Sequence, residues 1–350
     1  MSSSFAFRLK NARLKSGLSL QQVADQVGLS KQMISKYEKG LSMPASDKLI
    51  ALSRMLNVKV DQLFSKPEYE IGEISFRKRS KLKGKREQAL KEEIRTKIEN
   101  YLLIEDLLGI SHGFENPIGG NLISSLQEAK DAAFQLKEAW KIGQDAIYNA
   151  VDLFEEKHIK VIEIDELTGE FDGLATWVDG KYPMIVLSKA ASVERKRFTL
   201  FHELGHIVLV SGDASDKDQE KFCNAFASEM LLSEANLMME LGESKRAIFL
   251  EEIKNLQEKY GMSISAIIYK LGETSIISKN HVRDFFIRLR VEPKFKIQIE
   301  ESSYQGNEHS NRFENLVLRA LSQETISQSK ASAMFGVSLS ELRSQYLQAV

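Results

Sequence analysis

The sequence predicts an α+β protein that is mainly α, with five short helices at the N-terminus, a central part containing a small sheet, and a helical C-terminal region. Apolar residues recur at helical spacing over most of the 350 residues. Short β-type runs are confined mainly to residues 159–187. A chain of this length exceeds one ordinary hydrophobic core, which indicates two or three domains.

The composition is that of a soluble intracellular protein. Apolar residues make up 43% and charged residues 28%, as in globular proteins. The sequence has no apolar run long enough to span a membrane, and its first residues lack the apolar core of a signal peptide. A single cysteine, Cys223, excludes an internal disulfide and fits a reducing compartment. We therefore expect a cytoplasmic location and no membrane partner.

Charge is distributed unevenly along the chain. Residues 1–90 contain 18 Lys and Arg against 8 Asp and Glu, a net charge of +10. The other 260 residues contain 30 against 41, a net charge of −11. This asymmetry predicts a head that binds a polyanion, joined to an acidic body.

The head, residues 5–64, is predicted to form five short helices, and its informative stretch is GLSLQQVADQVGLSKQMISKYEKG. Ser19 can cap one helix and Ser30 the next, with Gly28 making the turn between them. Ile34 and Tyr37 would point inward. The outward positions of the second helix are then Lys31, Gln32, Ser35 and Lys36, residue types suited to DNA base edges and phosphates.

This stretch resembles the helix-turn-helix domain of the phage Cro and CI repressors, the XRE family. The resemblance covers about 60 residues and includes the closing phrase LNVKVDQLF, residues 56–64. It implies double-stranded DNA as partner, backbone contact by Gln21, and groove contact by Lys31, Gln32 and Lys36. The alternative interpretation is a small helical bundle that contacts proteins.

The head is followed by a basic stretch and predicted helices. Residues 76–86 contain seven basic and no acidic residues, which suits either a solvated linker or a segment lying along the DNA backbone. Apolar spacing predicts a long helix over 87–108, with Glu105 as the one break in the apolar pattern. We expect a loop over 114–121 and an amphipathic helix over 129–154, with Trp140 in the core.

Three strands and two helices are predicted next. Residues 159–164, 173–178 and 184–187 have strand patterns, and helices are expected over about 193–210 and 218–232, with a turn between them. An edge strand could hold a substrate backbone by main-chain pairing, and residues 173–178 are the candidate.

The first of these two helices contains HELGH, residues 202–206, which predicts a metal site. His202 and His206 would lie one turn apart on one face, close enough to share an ion, with Glu203 beside it. Polar groups within such an apolar helix require a partner, and Zn²⁺ is suitable. The alternative is a chance match on a surface helix.

A catalytic zinc ion needs a third protein ligand and an open position for water. Glu220, at the start of the second helix, is the first candidate because it could point back at His206, and Glu229 is the second. The remaining acidic candidates, less attractive because they lie in a loop or farther away, are Asp213, Asp216, Asp218 and Glu234.

The phrases RFTLFHELGH and EKFCNAFASEMLL together resemble the ImmA/IrrE family of zinc metallopeptidases, over about residues 155–235. The resemblance implies a zincin-like fold, metal binding by His202, His206 and Glu220, and catalysis by Glu203. Cys223 departs from the usual Ala, and we expect it to serve packing. Several members of the family act on a repressor, which raises that class of protein substrate here.

The C-terminal third contains two further helix-turn-helix patterns, at 259–278 and 326–344, without a basic face. We expect both to pack on the peptidase or to bind a protein. Residues 285–300 between them have a β-rich pattern.

The predicted organisation is a DNA-binding domain (1–66), a hinge and spacer (67–125), a metallopeptidase domain (126–240) and a partner-binding region (241–350). The leading hypothesis is a DNA-binding regulator that cleaves a repressor or another regulatory protein. Its rivals are a transcription factor whose peptidase-like body senses without cutting, and an antitoxin-like binding protein. A homodimer is compatible with the sequence, which does not decide it.

Overall fold

The protein is mainly helical, with seventeen α-helices and a sheet of three strands within the described residues. The computed structural model describes residues 2–64, 69–74, 84–120, 122–165 and 171–347. Two compact units are formed, one by Met1–Ser111, Trp177–Gly180 and Phe313–Val350, the other by His112–Thr176 and Lys181–Arg312. The predicted fold class, with an N-terminal helix-turn-helix and a central part with a small sheet, is confirmed.

The first unit begins with four α-helices and a 3₁₀ helix: α1 (Ser2–Lys15), α2 (Leu20–Val27), α3 (Lys31–Glu38), α4 (Ser46–Met55) and the 3₁₀ helix Asp61–Phe64. Five short helices are thus present, the last of them tighter than an α-helix. Their apolar faces share one core, whose fully buried members include Phe5, Leu9, Val23, Ile34 and Leu52. Burial of this common face stabilises helices that are too short to persist alone.

The predicted caps of α2 and α3 are present. The Ser19 hydroxyl accepts from the backbone N–H of Gln22, whose side chain accepts from Ser19 N–H in return. Gly28 ends α2 with a φ of +64°, a conformation that favours glycine. Ser30 caps α3 by accepting from Met33 N–H. These local bonds fix the turn between the two helices.

The long helix α5 (Lys85–Leu107) packs against α1. Leu90, Ile94 and Ile98 are buried in this continuous helix, as predicted, and Glu105, the break in the apolar pattern, is buried as well. Most of the basic stretch, residues 76–83, lies outside the described residues.

The same unit ends with α15 (Arg312–Ser322), α16 (Gln328–Phe335) and α17 (Leu339–Gln345). Ser327 caps α16, Gly336 ends it with a φ of +72°, and Ser338 caps α17. The helix-turn-helix pattern predicted for residues 326–344 is therefore confirmed as a backbone arrangement.

The second unit begins with α6 (Leu126–Trp140) and α7 (Ala150–Glu156). The prediction of one helix over 129–154 is wrong. Helix α6 ends at Lys141, which adopts a φ of +57°, and α7 begins only after its cap Asn149. The apolar spacing continued across this break because both helices bury one face. Trp140 is buried, as predicted.

The predicted strands are present as β1 (Lys160–Ile164), β2 (Gly173–Val178) and β3 (Tyr182–Ser188). The sheet order is β1-β3-β2, and β1 pairs with β3 in parallel, Val161 opposite Ile185. Strand β2 is therefore an edge of this sheet. Gly173 lies so close to the next helix that a Cβ there would be 2.5 Å from Thr199 Cγ2, which explains the glycine.

Two helices follow the sheet and pack closely together: α8 (Val193–Val208) and α9 (Asp216–Leu231). Both correspond to predicted helices; α8 ends two residues earlier and α9 begins two residues earlier than expected. At their crossing a Cβ on Gly205 would lie 3.1 Å from Cys223 Cα. The small residue at 205 therefore permits the close approach of α9.

The remaining helices of this unit are α10 (Glu234–Leu241), α11 (Leu250–Tyr260), α12 (Ile264–Glu273), α13 (Lys279–Val291) and α14 (Pro293–Glu300). The β-rich prediction for 285–300 is wrong. Phe285 and Leu289 occur at helical spacing and pack on the core around Leu256. Pro293 suits the first turn of α14, because that position needs no N–H donor. None of the described helices is long and apolar enough to cross a membrane.

Candidate metal centre and nucleic-acid interface

Helix α8 places the two histidines of HELGH one turn apart on one face. Its first turn is capped by Ser192, and most of its last three turns are buried. The Nε2 atoms of His202 and His206 lie 3.1 Å apart. This separation allows both ring nitrogens to bind one ion, because two ligand atoms of a tetrahedral zinc site are about 3.4 Å apart for bonds of ~2.0–2.1 Å.

Glu220 reaches this pair from the second turn of α9. Its Oε1 is 3.3 Å from His206 Nε2, and its Oε2 is 3.6 Å from His202 Nε2. Within the described residues, these three side chains form the group whose geometry could hold a metal ion. Two imidazoles and a carboxylate are the donor set of many catalytic zinc sites.

The three side chains differ in exposure. His202 is 2% exposed, whereas the side chains of His206 and Glu220 are 30% and 41% exposed. The group is thus anchored on the buried side and open on the side of Glu220. An ion held here would keep a coordination position that solvent or a substrate can reach.

Asn224 orients the buried histidine, and sequence reasoning missed it. His202 Nδ1–H donates to Asn224 Oδ1 over 2.8 Å, which leaves the Nε2 lone pair directed at the other two ligands. Asn224 lies four residues after Glu220, so both project from one face of α9. That spacing, inside the phrase EKFCNAFA, was the available signal.

Glu203 is 3% exposed, and its charge acts on His206. Burial by itself would lower the pKa of His206, but hydrogen bonds with Cys223 and Glu220 and the charge of Glu203 raise that pKa to about 10. Cys223 is buried, as expected for a packing residue, and its thiol is one of the groups that raise the pKa of His206. A metal ion would have to displace a proton from this imidazole.

The second candidate for the third ligand, Glu229, is used elsewhere. Its Oε2 is 2.7 Å from the buried Lys270 Nζ, and its Oε1 accepts from Glu234 N–H. Two of the other acidic candidates also have partners outside this group: Asp218 pairs with Lys221, and Glu234 with Lys130. The geometry thus favours Glu220.

The remaining histidines do not join this group. His112 and His158 stack on each other, His281 is bonded to Ser278, and His309 is paired with Glu163. The ring of Tyr182, a residue near the metal helix in sequence, packs against lysine ammonium groups.

The predicted DNA-reading residues lie on the surface of the head. Lys31, Gln32 and Lys36 are exposed on α3, and Ser35 is half-buried between them. Ile34 and Tyr37 are buried, so the inward and outward faces are as predicted. Gln21 is exposed in the first turn of α2, where its amide donates to Asp25.

Comparison with known proteins agrees with this two-part organisation. Residues 9–63 match the family described as helix-turn-helix, and residues 154–272 match the IrrE N-terminal-like domain. The chain thus combines a helix-turn-helix domain of the XRE type with a domain similar to the IrrE N-terminal-like domain. It therefore carries a DNA-binding type of head and a metallopeptidase type of body.

Individual relatives match one part each. The Radiation response metalloprotease IrrE of Deinococcus radiodurans is 29% identical over 117 residues, 28% of this chain and 34% of the relative. The HTH-type transcriptional regulator ImmR of Bacillus subtilis is 36% identical over 61 residues, 17% of this chain and 48% of the relative. The SPbeta prophage-derived uncharacterized HTH-type transcriptional regulator YonR of the same organism is 36% identical over 72 residues, 20% of this chain and 67% of the relative. The chain thus spans a third of IrrE and about half of ImmR.

Proposed function

We propose that the protein is a cytoplasmic DNA-binding regulator whose body is a zinc-dependent endopeptidase that cleaves a regulatory protein, such as a repressor. The cluster of His202, His206 and Glu220 carries this proposal, because it unites two imidazoles and a carboxylate beside the buried Glu203. The match of residues 154–272 to the IrrE N-terminal-like domain and the likeness to a metalloprotease over 117 residues support it.

The chemistry divides between an ion and the chain's own groups. Zn²⁺, when bound, would polarise a scissile carbonyl and lower the pKa of a water molecule toward about 7. Glu203, buried beside His202, is the residue that would take a proton from a water molecule as general base and return it to the leaving amine. Asn224 holds His202 in the tautomer with a free Nε2.

Strand β2 is the proposed site for the substrate backbone, but fewer of its residues are open to pairing than the expected 173–178. Gly72 N–H donates to Trp177 O over 2.8 Å, and Ile71 bridges Val178. These bonds occupy the outer side of the last two residues of β2. Pairing with an extended substrate is therefore proposed for residues 173–176.

The deciding experiment uses Glu203→Gln. We expect zinc content and DNA binding to be retained, the cellular output to be lost, and an uncleaved protein partner to stay bound in a pull-down. Glu251→Gln, a change of an exposed carboxylate on α11, is the matched control and should behave as the wild type. An unchanged output with Glu203→Gln would instead establish the non-cleaving sensor.

A further inference from the structure

Helix α5 continues the surface that the helix-turn-helix presents to DNA. One cavity of about 330 Å³ is lined jointly by the α1–α2 turn, α3 and the first turn of α5. Its polar lining consists of Arg13, Ser19, Gln21, Lys31, Lys85 and Gln88. Gln21 and Lys31 are proposed DNA contacts, so the start of α5 lies directly beside the proposed interface.

The cavity is positively charged, and two of its cations have no partner in the part of the chain that the structure describes. Its lining contains three basic and no acidic residues. Arg13 is neutralised by two hydrogen bonds to Glu38. Lys31 and Lys85 are exposed and form no ion pair with any described residue. A phosphate group supplies the missing negative charge.

Lys85 differs from the later lysines of its own helix. Lys91 pairs with Glu87 at 2.9 Å, and Lys97 lies 4.0 Å from Glu93. These i, i+4 pairs are the usual way in which a surface helix balances its charge. The unbalanced Lys85 is therefore available to an anion outside the helix.

The position of Lys85 relative to the head is fixed by packing within the same unit. Arg8 of α1 pairs with Glu99 of α5 at 2.6 Å, and the Arg95 guanidinium lies over the Phe7 ring. Leu90 and Ile94 bury the adjoining turns of α5. Such a contact would not require α5 to reorder on binding, which limits the entropic cost.

We propose that the DNA-binding surface extends from the helix-turn-helix onto the first turn of α5, where Lys85 contacts a phosphate of the same duplex that α3 enters. This rests on the proposed DNA binding of the head. It adds affinity without sequence preference, because a phosphate contact carries no base information. The surface is continuous through Lys31 and Gln21.

The test measures the binding of the full-length protein to a mixed-sequence duplex of about 30 base pairs as salt is varied, a condition under which phosphate contacts dominate. Lys85→Gln keeps helix propensity and removes the charge. Its logarithmic salt slope should fall by about 0.9, so that its disadvantage against the wild type shrinks about 3- to 4-fold between about 50 and about 200 mM salt.

Lys97→Gln is the matched control on the same helix and should leave the slope unchanged. Lys31→Gln should lower it. A normal slope for Lys85→Gln beside a lowered slope for Lys31→Gln would exclude α5 and leave the head's DNA binding intact. Equal loss with Lys85→Gln and Lys97→Gln would show a general charge effect and overturn the proposal. If the wild type binds no duplex even at low salt, the proposed DNA binding fails and this extension fails with it.

Discussion

The candidate metal centre and the DNA-reading surface are built in opposite ways. In the metal centre the side chains hold one another: Asn224 holds His202, and Glu220 contacts His206. On α3 the proposed readers Lys31 and Gln32 are exposed and form no hydrogen bond or ion pair with other described residues. The side chains of the metal centre are thus fixed by their contacts with one another, whereas the proposed DNA-reading side chains are exposed on the surface of a folded helix.

This difference has consequences for mutation. Groups that position one another act as a unit, so the loss of one member should remove most of the function. Exposed residues that contact DNA should each contribute separately to the binding free energy, and each by a smaller amount. The following changes test whether the contrast holds, in order of decreasing effect.

The largest effect separates two acids on α9. Glu220→Ala should abolish stoichiometric zinc binding, with a loss greater than the roughly 10- to 100-fold produced by removing an outer partner. Glu229→Ala should retain the metal but destabilise the fold by about 3–5 kcal/mol, because it leaves the buried Lys270 without its partner. Metal analysis of the purified proteins and denaturant unfolding measure the two quantities. Metal loss with Glu229→Ala, at a temperature where it is folded, would reverse the assignment.

A lysine inside the body should behave unlike the exposed Lys31 of the head. Lys137 is 2% exposed, and no described group accepts a hydrogen bond from its Nζ. Burial lowers the pKa of Lys137 to about 8. Below that pH both the folded and the unfolded chain carry the proton, so the full cost of burying the charge is present.

Lys137→Met should therefore stabilise the protein at pH 7, by about 1–3 kcal/mol. Between about pH 8 and 10.5 the unfolded wild type binds more protons at this site than the folded one, so the wild type gains stability as pH rises and the gap to the variant closes. Urea unfolding at pH 7 and pH 10 measures this. A gap that stays constant or widens with pH would contradict the burial of a charged Lys137.

The same contrast between local and tertiary contacts separates the residues of the metal centre that the sequence predicted from the one that it did not. The spacing of His202 and His206 predicted their meeting because one helix suffices to bring them together. Glu220 was found by its position at the start of the next helix. The spacing from Glu220 placed Asn224 on the same face of α9, but its bond to His202 was missed because it depends on the distance between α8 and α9, which Gly205 sets. That distance is a tertiary quantity without a local sequence pattern.

The prediction of helices and strands was wrong where one sequence pattern was compatible with two structures. Residues 129–154 kept helical spacing across the break at Lys141, since α6 and α7 both bury a face in the same unit. The apolar residue types around Phe285 and Leu289 suggested strands, but these two residues pack against the core from one face of a helix. By contrast, the caps Ser19 and Ser30 were predictable, because capping is local chemistry.

Removing Asn224, which orients His202, should weaken zinc binding less than removing a metal ligand does. Asn224→Ala should weaken zinc binding about 10- to 100-fold, because His202 then loses the acceptor that fixes its tautomer. Asn224→Asp keeps the acceptor and should restore most of the affinity, which a purely structural role would not predict. Competition against a chelator measures the affinity. Equal weakening in both variants would argue for packing alone.

The smallest expected effect is on the recognition of DNA bases. Its test compares α3 and α17, two helices that begin with the same kind of capped turn. Gln32 lies two residues after the cap Ser30 of α3, and Ser340 lies two residues after the cap Ser338 of α17. Gln32→Ala should cost about 1 kcal/mol at one base pair of a DNA site selected from a random library, and little on other DNA. Ser340→Ala should change neither value, because α17 shares the capped turn of α3 but has Leu339 and Ser340 where α3 has Lys31 and Gln32. Equal weakening by Gln32→Ala on all DNA would show that α3 holds the backbone without reading the groove.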